Sequence, residues 1–86
     1  MKFNMALTHL ESGYIISRKG WNASGQFCWY VPAGSYPARM EAIKGYYEDD
    51  LVPYAPYIAF KNAQGIVVPW VPSTGDLFAD DWVVHD

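Results

Sequence analysis

Eighty-six residues with a formal charge of −3 make one domain with a marginal core, since a chain this short buries only about 60–65% of its unfolded surface. The negative balance argues against sequence-independent binding of DNA or RNA, where a basic face supplies most of the affinity. A hydrophobic content of 51% with 17% aromatic residues excludes disorder. Four Trp, seven Tyr and four Phe exceed what a minimal core needs, which points some of them at an interface or a ligand. The lone thiol, Cys28, has no intramolecular partner and suits a reducing compartment. No Cys/His cluster offers a metal site, so oligomerisation is the expected support. Apolar runs such as Ile66 to Trp70 are too short for a membrane span, and Met1-Lys2-Phe3-Asn4 opens no signal region. A cytoplasmic location is expected.

In chain order, Phe3, Ala6, Leu7 and Leu10 recur at helical spacing, with Asn4 as the expected N-cap and Gly13 as the residue that ends the helix. His9 falls beside that stripe as a rim residue. Tyr14 to Lys19 reads as a strand, Trp21-Asn22-Ala23-Ser24-Gly25 as a turn, and Gln26 to Val31 as the second strand of a hairpin. Residues 32–35 and Glu48-Asp49-Asp50 read as loops, and Arg39 to Tyr47 as either a strand or an irregular arm. Tyr57 to Lys61 and Ile66 to Trp70 form another hairpin around Asn62-Ala63-Gln64-Gly65. Ser73 or Thr74 caps a short helical turn over residues 76–79, and Trp82-Val83-Val84 closes the sheet. The class is α+β: a small, mostly antiparallel sheet, a short N-terminal helix and a short C-terminal helical turn, in a single ligand-binding domain over 1–86.

Catalytic readings fail first. Neither His9 nor His85 stands in a context that suggests a nucleophile, and a triad needs a base within reach of one. Asp80-Asp81 with Asp76 can share a proton or hold a cation, but reads more simply as a helix-start carboxylate followed by a solvated pair. No phosphate-cradling glycine motif is present, and Cys28 between Phe27 and Trp29 reads as a small buried side chain. No catalytic residue, metal or cofactor is expected.

Binding is better supported. Arg18-Lys19-Gly20-Trp21-Asn22 places two cations, a π-face and an amide within five residues. A nucleotide needs stacking, base-edge hydrogen bonds and phosphate donors. The same segment reads equally as Trp21 packed under the hairpin with Arg18 and Lys19 solvated. A second candidate surface runs from Pro69-Trp70 to Ser73-Thr74-Gly75-Asp76, where an aromatic leads into hydroxyls and a helix start.

Together, Arg18-Lys19-Gly20-Trp21-Asn22, Pro56 to Lys61, Gly65 to Trp70 and the tail from Ser73 through Asp76-Leu77-Phe78-Ala79-Asp80-Asp81-Trp82 resemble a family of small phage proteins, the second type of Thoeris anti-defence protein. The resemblance covers nearly the whole chain and is weakest over 33–50. It implies a sponge that binds a cyclic nucleotide immune signal, glycocyclic ADP-ribose or a cyclic dinucleotide, and holds it intact. It also implies a homotetramer with pockets shared between protomers. Carried onto this chain, it assigns Trp21 to stacking or walling the pocket, Asn22 to a base edge or ribose hydroxyl, and Arg18 to a phosphate. Ser73, Thr74 and Asp76 fall to ribose hydroxyls or the purine edge, with Trp70 as the aromatic of the second segment. Gly75 stands where relatives often carry a hydroxyl residue, and Tyr36 and Arg39 lie where no family pattern aligns. The competing expectations are an enzyme that degrades the same messenger through Asp76 with Asp80 or Asp81, and a structural interaction module.

Overall fold

The computed structural model describes residues 1–22 and 24–85; Ala23, in the expected 21–25 turn, lies outside the described residues. Helix α1 (Phe3–Glu11) buries Ala6 and Leu10, one turn apart on the same face. It closes at Ser12 and passes into Gly13 at φ +100°, a left-handed position that favours glycine. The N-cap is Lys2, without a side-chain cap, and not Asn4. Phe3 explains the earlier start: its ring packs 5.3 Å from Trp82 and 5.9 Å from Trp70, which fixes it in the first turn. The Asn4 carbonyl instead accepts the Thr8 hydroxyl at 3.1 Å.

Five strands form the main sheet: β1 (Ile15–Arg18), β2 (Phe27–Val31), β5 (Tyr57–Lys61), β6 (Val67–Pro69) and β7 (Trp82–His85). Their order is β6-β5-β2-β1-β7, antiparallel throughout. Both expected hairpins form, and the closing strand pairs with β1. Helix α1 covers one face over β1, β2 and β7. Ile16 lies opposite Cys28 and Val84 there; Ile16, Cys28, Ala6, Leu10 and Trp82 make the core, and half-buried Val84 packs against it. Side chains alternate across a strand, so Arg18, two residues beyond Ile16 and paired with Trp82, reaches the edge of that same face. Burial lifts the Cys28 thiol to about 12, with a smaller push from the Asp76 charge, so Cys28 is a packing residue.

The middle of the chain differs from expectation. Gly34 and Ser35, read as loop, belong to β3 (Gly34–Pro37), which pairs with β4 (Leu51–Tyr54) as a separate two-stranded ribbon. Pro37 and Pro53 hid these strands. Each strand of a lone ribbon has an open edge, where a missing N–H costs no ladder bond. Arg39 to Tyr47 takes the irregular alternative, with a 3-10 turn at Glu41–Ile43, and the expected loop after it holds a second 3-10 turn at Glu48–Asp50. Asp49 and Asp50 sit at φ 56° and 55°, a left-handed turn held by the Gly45 N–H on Asp50 Oδ1 at 2.7 Å. The strands of this arm pack chiefly on each other. The radius of gyration is 15.6 Å, well above the roughly 12 Å of a compact chain this long.

Candidate functional site

Two segments distant in sequence meet at the end of the main sheet where β1 finishes and β7 begins. Ser73 caps helix α2 (Thr74–Phe78) with a reciprocal pair of bonds. The Asp76 N–H donates to Ser73 Oγ at 3.1 Å, and the Ser73 N–H donates to Asp76 Oδ2 at 3.0 Å. This box fixes the Asp76 carboxylate and aims Oδ1 at β1. Arg18 Nη1 donates to Oδ1 at 2.9 Å, and Trp21 Nε1 donates to the same atom at 3.3 Å. Trp82 Nε1 donates to the Asp76 carbonyl at 2.9 Å.

Asp81 completes the clamp. Arg18 Nε donates to Asp81 Oδ1 at 2.8 Å, and the Gly20 N–H donates to Oδ2 at 2.7 Å. A Cβ on Gly20 would stand 2.6 Å from Oδ2, so the absence of a side chain there permits the contact. The expected solvated pair therefore splits: Asp80 is exposed, while Asp81 holds Arg18. The register that pairs Arg18 with Trp82 brings residue 81 beside this loop. That signal becomes visible only once β7 is known to pair with β1.

One guanidinium thus lies between two carboxylates. Hydrogen bonds to Asp81 and then Asp76 raise the Arg18 pKa, against burial. Burial pushes Asp76 up, but the Ser73 N–H, Arg18, Trp21 and the Ser73 hydroxyl outweigh it and hold the carboxyl below its ordinary value. Asp81 is held low chiefly by Arg18, with the Gly20 N–H adding to it. Both acids stay ionised, the opposite of what a general acid requires at neutral pH.

Of the seven sequence-derived site residues, Arg18, Trp21, Ser73 and Asp76 join one hydrogen-bonded cluster. The Trp21 ring also packs edge-to-face on Phe60 at 5.4 Å and Trp82 at 5.5 Å, so the packing and polar readings of this residue hold together. Trp70 lies on the flank of Trp82 at 5.8 Å and, among the described residues, makes no hydrogen bond to the cluster. Asn22 and Thr74 are exposed, and among the described residues no hydrogen bond engages their side chains. Ser73, at the start of α2, is exposed as well. Gly75 sits inside α2 and adds no side chain beside them.

Sequence reading missed two further features. Ser17 and His85 meet at 2.6 Å across β1 and β7, but Ser17 is buried and closed to a substrate. At the other end of the sheet, beyond Val31, an apolar groove of about 750 Å³ separates the arm from the body, lined by Tyr36, Arg39, Met40, Tyr54 and Tyr57 among others. None of the seven residues lines it. Among the described residues no His, Cys, Asp and Glu cluster is arranged to hold a metal ion, and no helix is long and apolar enough to cross a membrane.

Comparison with known proteins covers nearly the whole chain. Residues 1–85 match the model of the Thoeris anti-defense 2-like domain. The chain is also 30% identical over 82 residues to a protein of Bacillus phage SP01 named Thoeris anti-defense 2, covering 95% of this chain and 91% of that one. The chain therefore belongs to the Thoeris anti-defense 2-like family, a family of phage anti-defence proteins.

Proposed function

We propose that the protein sequesters a cyclic nucleotide immune signal, glycocyclic ADP-ribose or a cyclic dinucleotide, in the cytoplasm of the infected host, without cleaving it. The observation that carries this reading is the joining of two nucleotide-suited segments, 55 residues apart, through one carboxylate. Asn22, Ser73 and Thr74 supply a base-edge amide and two hydroxyls at exposed positions, beside the π-surfaces of Trp21 and Trp70. Arg18 spends Nε and Nη1 on carboxylates, which leaves Nη2 for a phosphate. Asp76 holds this surface in place and offers its remaining acceptor capacity to a ribose hydroxyl.

The hydrogen-bonded cluster of Arg18, Trp21 and Asp76 is fixed before any ligand arrives, which suits a sponge. Competing with an effector demands tight binding, and nanomolar affinity corresponds to about −12 kcal/mol. Groups already fixed before binding lose little entropy on it. The binding surface is open on one protomer, so in this reading a homo-oligomer, a tetramer as in the family expectation, closes the pocket with a neighbouring copy. The lowered carboxyl pKa values of Asp76 and Asp81 fit their use as fixed acceptors for Arg18.

The test is incubation with cyclic ADP-ribose isomers and cyclic dinucleotides, quantifying unbound ligand, then denaturing the protein and analysing what it releases. Depletion followed by intact release is the expected result. Depletion with altered product would make the protein an enzyme, and depletion of none would remove the nucleotide reading.

A further inference from the structure

We infer that Lys61 is a positioning residue for the ligand surface, holding the loop that presents Asn22. The inference rests on the nucleotide reading above and adds to it a side chain from β5, outside both recognition segments. Strand β1 ends at Arg18 and β2 begins at Phe27, and the two pair at Ile16 and Cys28. Residues 19–26 lie between the strands, so contacts from other elements have to place them. The Gly20 N–H is held by Asp81 at 2.7 Å, and the Trp21 indole by Asp76 at 3.3 Å. Exposed Asn22 follows these anchors. The loop returns to β2 through Gly25 at φ +79°, a left-handed position that favours glycine. At this far end the Lys61 ammonium donates to the Gly25 carbonyl at 2.9 Å, a link across 36 positions of sequence.

The strand places Lys61 for this contact. It lies opposite Phe27 in the β2–β5 register, and its neighbour Phe60 packs against the core beneath α1. Side chains alternate along a strand, so Lys61 rises from the other face of the sheet. There Nζ stands 5.1 Å from the centre of the Phe27 ring, which adds a cation–π attraction to the carbonyl bond. Among the described residues Lys61 makes no ion pair, so its charge serves the loop and no carboxylate competes for it. A hydrogen bond with a charged donor is about twice as strong as a neutral one. The loop is thus gripped from both faces, by Asp76 and the Trp82 ring on the α1 side and by Lys61 on the other. Trp21 keeps its place without Lys61, because Asp76, Phe60 and Trp82 hold it. Asn22, between Trp21 and the Gly25 tether, is the ligand group whose position depends on Lys61.

Calorimetric titration of the full chain with glycocyclic ADP-ribose and with cyclic di-GMP tests this role. Lys61→Met keeps the reach of the side chain and removes its donor. The probe that wild type binds should then bind about five- to tenfold more weakly, the range of one hydrogen bond. Lys61→Arg keeps a donor and a cation over Phe27 and should restore most of the affinity. In an Asn22→Ala background, Lys61→Met should weaken binding by no more than about twofold further, because both changes act on one contact. Melting temperatures should stay close to wild type, since Lys61 lies outside the core. Additive losses would overturn the positioning role and make the ammonium a direct ligand contact. Wild-type affinity in Lys61→Met would overturn it as well and reduce Lys61 to packing on Phe27. An affinity loss matched by collapse of the fold would make its role structural and overturn it too. Failure of wild type to bind either probe would strike the nucleotide reading itself, and the inference with it.

Discussion

At the Arg18 end of the sheet, donors from Arg18, Gly20, Trp21 and Ser73 converge on two carboxylates, and the Trp82 ring behind them is 1% exposed. The arm end has the reverse character, with rings and aliphatic chains facing solvent and, among the described residues, a single exposed ion pair between Lys44 and Glu41. One end satisfies its polar groups internally; the other leaves its apolar groups for something outside. The comparison ties the stability of the single chain to the first region and gives the second a smaller share of it. It also predicts that substitutions at the two ends separate by measurement.

Asp76→Ala should do the most damage. It removes the N3 half of the capping box, leaves Arg18 with one carboxylate and deprives the Trp21 indole N–H of its acceptor. Losing the cap and one partner of a partly buried ion pair should cost about 3 kcal/mol in urea unfolding. A loss below about 1 kcal/mol would mean that the clamp is ornamental and that Trp packing alone holds this end.

The same cluster sets a pH dependence. Asp76 and Asp81 have folded-state pKa values below their ordinary ones, so the unfolded chain binds protons more readily. Their contribution is complete above the ordinary carboxylate range and is lost as pH falls through it toward the lowered values. The raised Arg18 pKa has no effect there, since it titrates far on the alkaline side. The melting temperature should therefore hold near neutrality and fall below about pH 5. Asp76→Asn should start lower and fall less steeply. Parallel curves for the two proteins would place the acid sensitivity elsewhere.

These expectations rest on side chains whose partners sequence spacing alone only half reveals. The hairpins, the closing strand and the Ser73 cap are readable because local chemistry decides them: alternating apolar residues, a turn rich in small polar residues, an N-cap hydroxyl followed by Asp at the third helical position. Asp81 escapes that kind of reading because its role depends on which strand lies beside β1, a non-local choice. The arm escapes it because proline normally signals the end of a strand, and only the isolation of the ribbon makes Pro37 and Pro53 harmless. The helix start moves from Asn4 to Lys2 because a tertiary contact of Phe3 outweighs a local cap.

Gly20→Ala sharpens the comparison at smaller cost. The added methyl meets Asp81 Oδ2 at 2.6 Å, so the carboxylate must swing away from the Gly20 N–H and draw Arg18 with it. The stability loss should be about 1–2 kcal/mol. Nucleotide depletion should weaken more than that loss alone accounts for, because the loop carrying Trp21 and Asn22 moves. Full depletion at reduced stability would detach the Gly20 loop from the binding surface.

Tyr46→Ser should have the smallest effect on the single chain, and it is the most informative one on the proposed homo-oligomer. Tyr46 is 77% exposed, and an exposed change away from caps and networks shifts stability by no more than about 0.5 kcal/mol. In an assembly held through the arm, apparent stability rises with protein concentration by mass action. The variant should therefore unfold with wild type at low concentration and fall behind it as concentration increases. A gap that stays constant with concentration would place Tyr46 outside the contact. A large gap already present at low concentration would mean that the arm supports the body, erasing the division between the two ends.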